Sequence, residues 1–322
     1  MQQHTTLTER RIEKDLEKLI APAIFRPLAD LDVEVHQCEE PISFDQAQAA
    51  SYRTIDIPFD WGPFWSTAWF RLTGPPVKAG PGEEVVLRFN AGSEALLWID
   101  GKPFKGFNDQ WHTFAPLPRK VLKGEAVTLA MEAVCNRLMG ARGIQEDNKP
   151  ARLSMARLSA RHLETWHLFQ DAELLFLLMR ELPEGSPRRK RLLFGLNDML
   201  NRLDPDDVPA SAAEARKPLA ELLACHADAS ATVAASIGHS HIDVAWLWPY
   251  RETIRKCSRT FSTVLRLMEQ YPEYTFIQSQ AQLYDYVKTH YPSIYKQVVR
   301  RVKEGRWEAD GGTWVEMDCN LA

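Results

Sequence analysis

The stretch Ala231-Thr232-Val233-Ala234-Ala235-Ser236-Ile237-Gly238-His239-Ser240-His241-Ile242-Asp243-Val244-Ala245-Trp246-Leu247-Trp248 decides how the chain is read. Its first part, Ala231 to Ile237, is an apolar run of the length expected for a buried strand. Its second part sets His239, His241 and Asp243 two apart, and two indoles follow. On an extended strand end, residues two apart point to the same side, so the three groups can converge on one ion. One imidazole and one carboxylate from such a segment, with a carboxylate from elsewhere, suit zinc with an open coordination position.

Downstream, the pattern alternates between strand and helix. Ile254, Cys257, Phe261, Leu265 and Met268 form a helical stripe that Pro272 ends. Tyr274 to Ser279 reads as a second strand. Leu283, Val287 and the segment 292–302 read as helices, and Arg306 to Asp310 and Thr313 to Asp318 as strand-like pieces around Gly311-Gly312. Alternating β and α predicts a parallel sheet, whose chemistry lies beyond the carboxyl ends of the strands. Both His241-Ile242-Asp243 and Asp318 fall at such ends, which makes one site from two distant segments the expectation.

Upstream, residues 161–229 read as helices broken at Pro183, Gly185 and Pro187 and again at Asp204 to Pro209, with Pro218 beginning or kinking the last of them. From 51 to 160, short β-branched and aromatic runs alternate with Gly/Pro turns, the pattern of a β-sandwich. Ser66 to Leu72, Glu84 to Asn90, Ala95 to Ile99 and Ala126 to Ala133 are its clearest strands, and Asp100-Gly101 marks a hairpin. Trp61, Trp65, Trp69, Trp98 and Trp111 cluster here and are expected mainly in the sandwich core. Residues 8–20 show an amphipathic helix; 29–50 carry no assignable pattern. The organisation is therefore multidomain and α+β: an N-terminal segment 1–50, a β-sandwich 51–160, a helical connector 161–229 and a β/α unit 230–322.

Composition narrows the function. A net charge of −4 from 39 basic and 43 acidic residues gives no footprint for nucleic acid. Arg188 to Arg191 reads as a solvated helix face. No apolar stretch approaches the roughly 18 residues of a membrane span, and no signal peptide is evident. The five cysteines, Cys38, Cys135, Cys225, Cys257 and Cys319, are odd in number and widely spaced, as free thiols in a reducing compartment would be. The expectation is a cytoplasmic protein with neither nucleic acid nor membrane as partner.

Two motifs together carry a family resemblance. Gly238 to Trp246 with Trp248-Pro249-Tyr250-Arg251-Glu252-Thr253, and Gly311-Gly312-Thr313-Trp314-Val315-Glu316-Met317-Asp318-Cys319-Asn320, resemble the family 38 glycoside hydrolases, the class II α-mannosidases, and most of all their cytosolic/vacuolar and bacterial branch. The resemblance implies a seven-stranded β/α barrel, of which 230–322 would be the truncated start, with one zinc in its active site. Carried over, His241, Asp243 and Asp318 are zinc ligands, Asp318 is also the catalytic nucleophile, Trp246 faces the mannose ring, and His239 supports the ligands from behind, orienting Asp243. Spacing alone does not choose between Glu316 and Asp318 as the carboxylate; the resemblance points to Asp318.

The implied activity is retaining hydrolysis of terminal α-mannosidic bonds in oligosaccharides. The acid/base residue and a fourth, histidine ligand are expected downstream of this sequence. The 322 residues are thus expected to be an N-terminal portion, inactive alone and weak in zinc binding. The N-terminal β-domain is expected to assist homo-oligomer assembly. Two other readings are a metal-dependent carbohydrate deacetylase, which needs no carboxylate nucleophile, and a non-catalytic carbohydrate-binding or assembly module built on 51–160.

Overall fold

The computed structural model describes residues 5–136, 149–226 and 230–317. Helix α1 (Thr5–Asp15) runs on through a π-type turn, Leu16–Ile20, and a last turn, Ala21–Ala23. Strands β1 (Phe25–Asp30) and β2 (Asp32–Cys38) follow, then helix α2 (Phe44–Ala49). Ser43 and Gln46 close α2 with a capping box, each side chain accepting from the other's backbone N–H. Next come β3 (Arg53–Ile55), β4 (Phe59–Trp61), β5 (Thr67–Gly74) and β6 (Glu83–Asn90). They lead into β7 (Glu94–Ile99), β8 (Lys102–Phe107), β9 (Phe114–Pro116) and β10 (Val127–Val134). The series ends with β11 (Ala151–Leu153) and β12 (Met155–His162).

These strands form a six-stranded sheet in the order β3-β2-β5-β10-β7-β8, a four-stranded sheet β1-β12-β6-β9 and the pair β11-β4. Strand β2, in the stretch that carried no sequence pattern, pairs antiparallel with β5, Val35 opposite Phe70. Successive side chains of a strand face opposite sides, and β5 uses both. Phe70 meets Phe89 of β6 edge-on at 5.8 Å. Trp69 faces the other way, into a cluster with Ala47, Leu96 and Trp98. Of the five tryptophans of this region, Trp61, Trp69 and Trp98 are buried and Trp111 is exposed. Asp100 and Gly101 both have positive φ, 50° and 72°, the backbone that a two-residue type I′ hairpin between β7 and β8 requires.

The described residues separate into two compact units. One combines α1 with helices α3 (Leu163–Glu181), α4 (Pro187–Arg202) and α5 (Val208–Leu223). His162, Ser186 and Asp207 cap the three helices by accepting from the backbone N–H three residues on. Pro187 and Pro209 sit in first turns, where no donor is lost, whereas Pro218 lies within α5. Ile12, Leu168, Met179, Leu196, Met199, Ala212 and Leu219 interlock as the fully buried core of this unit. Arg189, in the basic run, is not simply solvated: its guanidinium donates to the carbonyls of Met179 and Leu182 at 3.1 and 3.0 Å and to Glu9 at 2.9 Å.

The other unit holds the six-stranded sheet and the C-terminal β/α segment. That segment consists of β13 (Gly238–His239), α6 (Tyr250–Gln270), β14 (Phe276–Ile277), α7 (Ala281–His290), α8 (Pro292–Lys303) and β15 (Trp307–Glu308). The three strands are parallel, with Gly238 opposite Phe276 and Phe276 opposite Trp307. Phe261, Phe276 and Trp307 pack ring on ring in the core beneath them.

Two expectations are corrected here. Ala231 to Ile237 is not a buried strand: Val233 is 94% and Ile237 57% exposed. The ladder starts only at Gly238, because the partner β14 is itself two residues long and offers its first hydrogen-bonding position there. The strand-like piece from Thr313 is instead a bend through Val315, and its end, Asp318, lies outside the described residues.

Helix α6 is the seam of this unit. Glu252, Arg255, Lys256 and Arg259 are all buried on it. Arg255 Nε donates to Glu132 of β10 at 2.9 Å and its Nη1 to Glu252 at 3.3 Å. Lys256 Nζ lies 2.6 Å from Glu94 of β7. Arg259 pairs with Glu94 at 3.3 Å and with Glu252. Three cations thus meet three carboxylates. Burial works to lower the Arg259 pKa, but Glu252 and Glu94 outweigh it and the pKa is raised. Close backbone approach completes the seam: a Cβ on Gly106 of β8 would lie 2.8 Å from the Arg259 carbonyl oxygen.

Removing one partner of a buried pair costs about 3–5 kcal/mol, while replacing both with apolar groups is often neutral. Arg255→Met is therefore expected to lower stability by about that much in urea denaturation. The double variant Arg255→Met/Glu132→Leu should recover most of the loss; equal stability of wild type and Arg255→Met would exclude the seam as a stabilising element.

Candidate active site

The site grows from the carboxyl ends of β13, β14 and β15. Beyond β13 the chain carries Ser240 to Trp248; beyond β14, Gln278-Ser279-Gln280; beyond β15, the bend that ends in Glu316 and Met317. A parallel ladder sets all three exits on one side.

The middle exit fixes the other two. Gln278 and Gln280 are almost wholly buried. Gln278 Nε2 donates to the Ser240 carbonyl at 2.6 Å, and Gln280 Nε2 to the Ile242 carbonyl at 2.9 Å. Two alternate carbonyls of the His-Ser-His-Ile-Asp segment are thereby held, while its alternate side chains stay outside. Gln280 Nε2 also reaches Glu316 Oε2 at 3.4 Å, and Ser279 donates its hydroxyl to Glu316. The bend can come this close because Gly311 has no side chain: a Cβ there would stand 1.7 Å from the Ser279 carbonyl oxygen.

His241 lies between two carboxylates. Its Nδ1 is 2.5 Å from Glu316 Oε2 and its Nε2 is 3.1 Å from Asp243 Oδ1. His239, expected beside Asp243, instead meets Glu316 Oε1 at 3.3 Å. The hydrogen bond to Glu316, then contacts with Asp243, raise the His241 pKa against partial burial. Burial pushes Glu316 up, but Ser279 and His241 pull it further down, so its carboxyl is held ionised.

Trp246 is 55% exposed and stands edge-to-face with Trp248, ring centres 6.2 Å apart. Trp248 Nε1 donates to Thr253 Oγ1 at 2.9 Å, and Thr253 Oγ1 donates to the Asp243 carbonyl at 3.2 Å. The start of α6 is so tied to the metal-type motif. Asp318, expected as third ligand and nucleophile, lies outside the described residues.

A tetrahedral zinc about 2.0–2.2 Å from each donor sets two ligands roughly 3.3 Å apart. The 3.1 Å between His241 Nε2 and Asp243 Oδ1 suits two donors of one ion. With such an ion bound, Glu316 would accept the Nδ1 proton and leave the Nε2 lone pair of a neutral imidazole to the ion, the usual role of a carboxylate behind a ligating histidine. Among the described residues no group of three His, Cys, Asp or Glu side chains is arranged to hold a metal ion. The described part of the site therefore offers a donor pair.

Sequence reasoning did not find Gln278, Ser279 and Gln280, and saw Glu316 only as a rival to Asp318. The available signal was position: three polar residues in a row directly after the apolar Tyr274-Thr275-Phe276-Ile277, at a parallel strand's carboxyl end.

Comparison with known proteins gives two family matches. Residues 231–322 match the glycosyl hydrolases family 38 N-terminal domain, and 27–160 the alpha-mannosidase jelly roll domain. The second begins before residue 51 and takes in β2. Human alpha-mannosidase 2C1 is 34% identical over 291 residues, covering 88% of this chain and 28% of that protein. Alpha-mannosidase G of Dictyostelium discoideum is 29% identical over 338 residues, covering 100% of this chain and 31% of that protein. The alpha-mannosidase of Saccharomyces cerevisiae is 30% identical over 302 residues, covering 87% and 28%. The chain thus spans less than a third of the length of these relatives.

In metal-free protein His241 is expected to titrate above its ordinary 6.5. Its contacts then add stability below the unfolded-state value, which is lost as pH rises through the raised folded one. For Glu316, held below its ordinary 4.5, the stability is present above that value and lost as pH falls through the folded one. NMR titration checks this: Glu316→Gln should lower the His241 midpoint, and an unchanged midpoint would contradict the pairing.

Proposed function

We propose, on the premise that this chain belongs to glycosyl hydrolase family 38, that it serves a zinc-dependent, retaining α-mannosidase that removes terminal α-linked mannose from oligosaccharides. The observation that carries the reading is the meeting of His241, Asp243 and Glu316 at the carboxyl ends of parallel strands, inside the stretch matched to the family's N-terminal domain. The relatives' names, all α-mannosidases, supply the substrate class. In this reading β13, β14 and β15 are the first strands of a seven-stranded β/α barrel. No helix among the described residues is long and apolar enough to cross a membrane; a cytoplasmic location remains part of the proposal, resting on the widely spaced cysteines.

His241 and Asp243, with Asp318, would hold the zinc. When bound, it supplies positive charge to sugar hydroxyls and favours an ionised carboxylate beside it. The remaining work falls to the chain. Glu316 fixes the His241 tautomer through Nδ1. Gln278 and Gln280 hold the motif's backbone, so that the donors need little reorganisation when sugar binds. Trp246 offers an exposed ring face to the C–H surface of mannose. Asp318 attacks the anomeric carbon and forms a mannosyl ester as the glycosidic bond breaks, the leaving oxygen taking a proton from a general acid. Water then cleaves the ester with retention of configuration.

A nucleophile makes a sharp prediction. Asp318→Ala should lower kcat on an aryl α-mannoside by at least about ten-thousand-fold. A slow fluorinated mannosyl donor should leave its sugar on the peptide that contains Asp318, as read by mass spectrometry. A sugar trapped on Glu316, or turnover that survives Asp318→Ala, would overturn the assignment.

A further inference from the structure

We infer that Glu94, on β7 of the jelly-roll-type sheet, is a positioning residue for the sugar-facing indoles: it holds the Lys256 ammonium over Trp248 and through Trp248 sets Trp246. This rests on the reading above that Trp246 faces mannose.

The contacts run without a break. Glu94 Oε2 lies 2.6 Å from Lys256 Nζ. That ammonium stands 4.6 Å from the centre of the Trp248 ring, within the reach of a cation–π attraction. Trp248 is pinned at its other end by Thr253, which in turn holds the Asp243 carbonyl. The Trp248 and exposed Trp246 rings meet edge to face at an interplanar angle of 85°. An exposed indole has few neighbours to select its rotamer, so this one packed partner carries much of the selection.

Glu94 is itself immobilised. Besides Lys256, its Oε2 accepts from Asn136 Nδ2 at 2.5 Å and from Arg259 Nη2 at 3.3 Å. Asn136 Oδ1 accepts from the Glu94 backbone N–H at 3.3 Å. The carboxylate cannot follow the lysine; the lysine must come to the carboxylate. Arg255 with Glu132 makes a second pair across the same seam. That pair separates the two explanations: it docks α6, and among the described contacts neither the Arg255 nor the Glu132 side chain touches Lys256 or Trp248 directly.

The test uses the enzyme with 15N-labelled indoles, Trp248 and Trp246 being assigned from Trp→Phe variants. In Glu94→Gln and in Lys256→Met, the Trp248 and Trp246 Nε1–H resonances are expected to move. KM for an aryl α-mannoside should rise about three- to tenfold, with kcat changed by less than about twofold. Lys256→Arg, which keeps a cation over the ring, should restore both. Glu132→Gln, measured at a temperature where it is folded, should leave both at wild-type values. Should Glu94→Gln fail to fold, Lys256→Met decides. Unmoved indole resonances in folded Lys256→Met, or the same changes in Glu132→Gln, would overturn the inference. An enzyme that does not act on mannosides would defeat the functional reading instead, and the resonances would still report on Glu94.

Discussion

The buried ionic seam along α6 is the constraint from which the rest of the C-terminal segment follows. Arg255, Lys256 and Arg259 are out of water, and each is tolerable there only while Glu94, Glu132 and Glu252 face it. Such a layer is a demanding way to join a helix to a sheet. An apolar contact can slide by a fraction of a turn at little cost, whereas a slide here would leave charges unmatched. The seam therefore fixes the rotation and height of α6 against β7 and β10. The start of that helix holds Trp248 and, through Thr253, the Asp243 carbonyl. Position is handed from the sheet to the site.

The site uses the same economy with neutral groups. Gln278 and Gln280 each spend an amide N–H on a carbonyl of the motif that carries His241 and Asp243. Buried amides that lose a partner are costly, so the motif's backbone is held against the strand exit. Glu316 then closes the arrangement from the third exit, contacting His239, His241 and Ser279. A histidine set between two carboxylates is held more firmly than by either, and its two nitrogens take distinct roles. In the proposed mechanism Glu316 orients the imidazole, and the nucleophile's role falls to Asp318.

Legibility in the sequence followed the physics of each feature. The helices α3 to α5, the strands β5 to β7 and the Asp100-Gly101 hairpin rest on local signals (caps, alternation, positive φ), and these are visible in a single chain. The run Ala231 to Ile237 misled because apolarity predicts burial only where a neighbour exists to cover it, and its neighbouring strand begins at Phe276, opposite Gly238. The seam was invisible for the opposite reason. Glu252, Arg255, Lys256 and Arg259 look like the solvated face opposite the stripe Ile254, Cys257, Phe261, Leu265 and Met268. Nothing local tells a helix that glutamates on distant strands will meet its cations. His239 illustrates the limit of spacing arguments: residues two apart did share a side, but the carboxylate it met came from seventy-seven positions away.

The two family matches, 27–160 and 231–322, divide the chain into a stretch similar to a jelly roll and one similar to a glycosyl hydrolase N-terminal domain. Physically the division is weaker than the names suggest, because most of both lies in one compact unit, which holds the six-stranded sheet, helix α6 and the charged layer between them. A jelly roll that merely decorated its neighbour would need only a few surface contacts with it. This one supplies two of the three carboxylates that allow α6 to be buried. Without Glu132 the helix would leave Arg255 short of a carboxylate, and without Glu94 the Lys256 ammonium would lose the partner that holds it over Trp248. The β-domain is in this sense part of the framework of the site, and the loss of Glu94 from its sheet should be felt at Trp248 and Trp246 before it is felt at the strand ends.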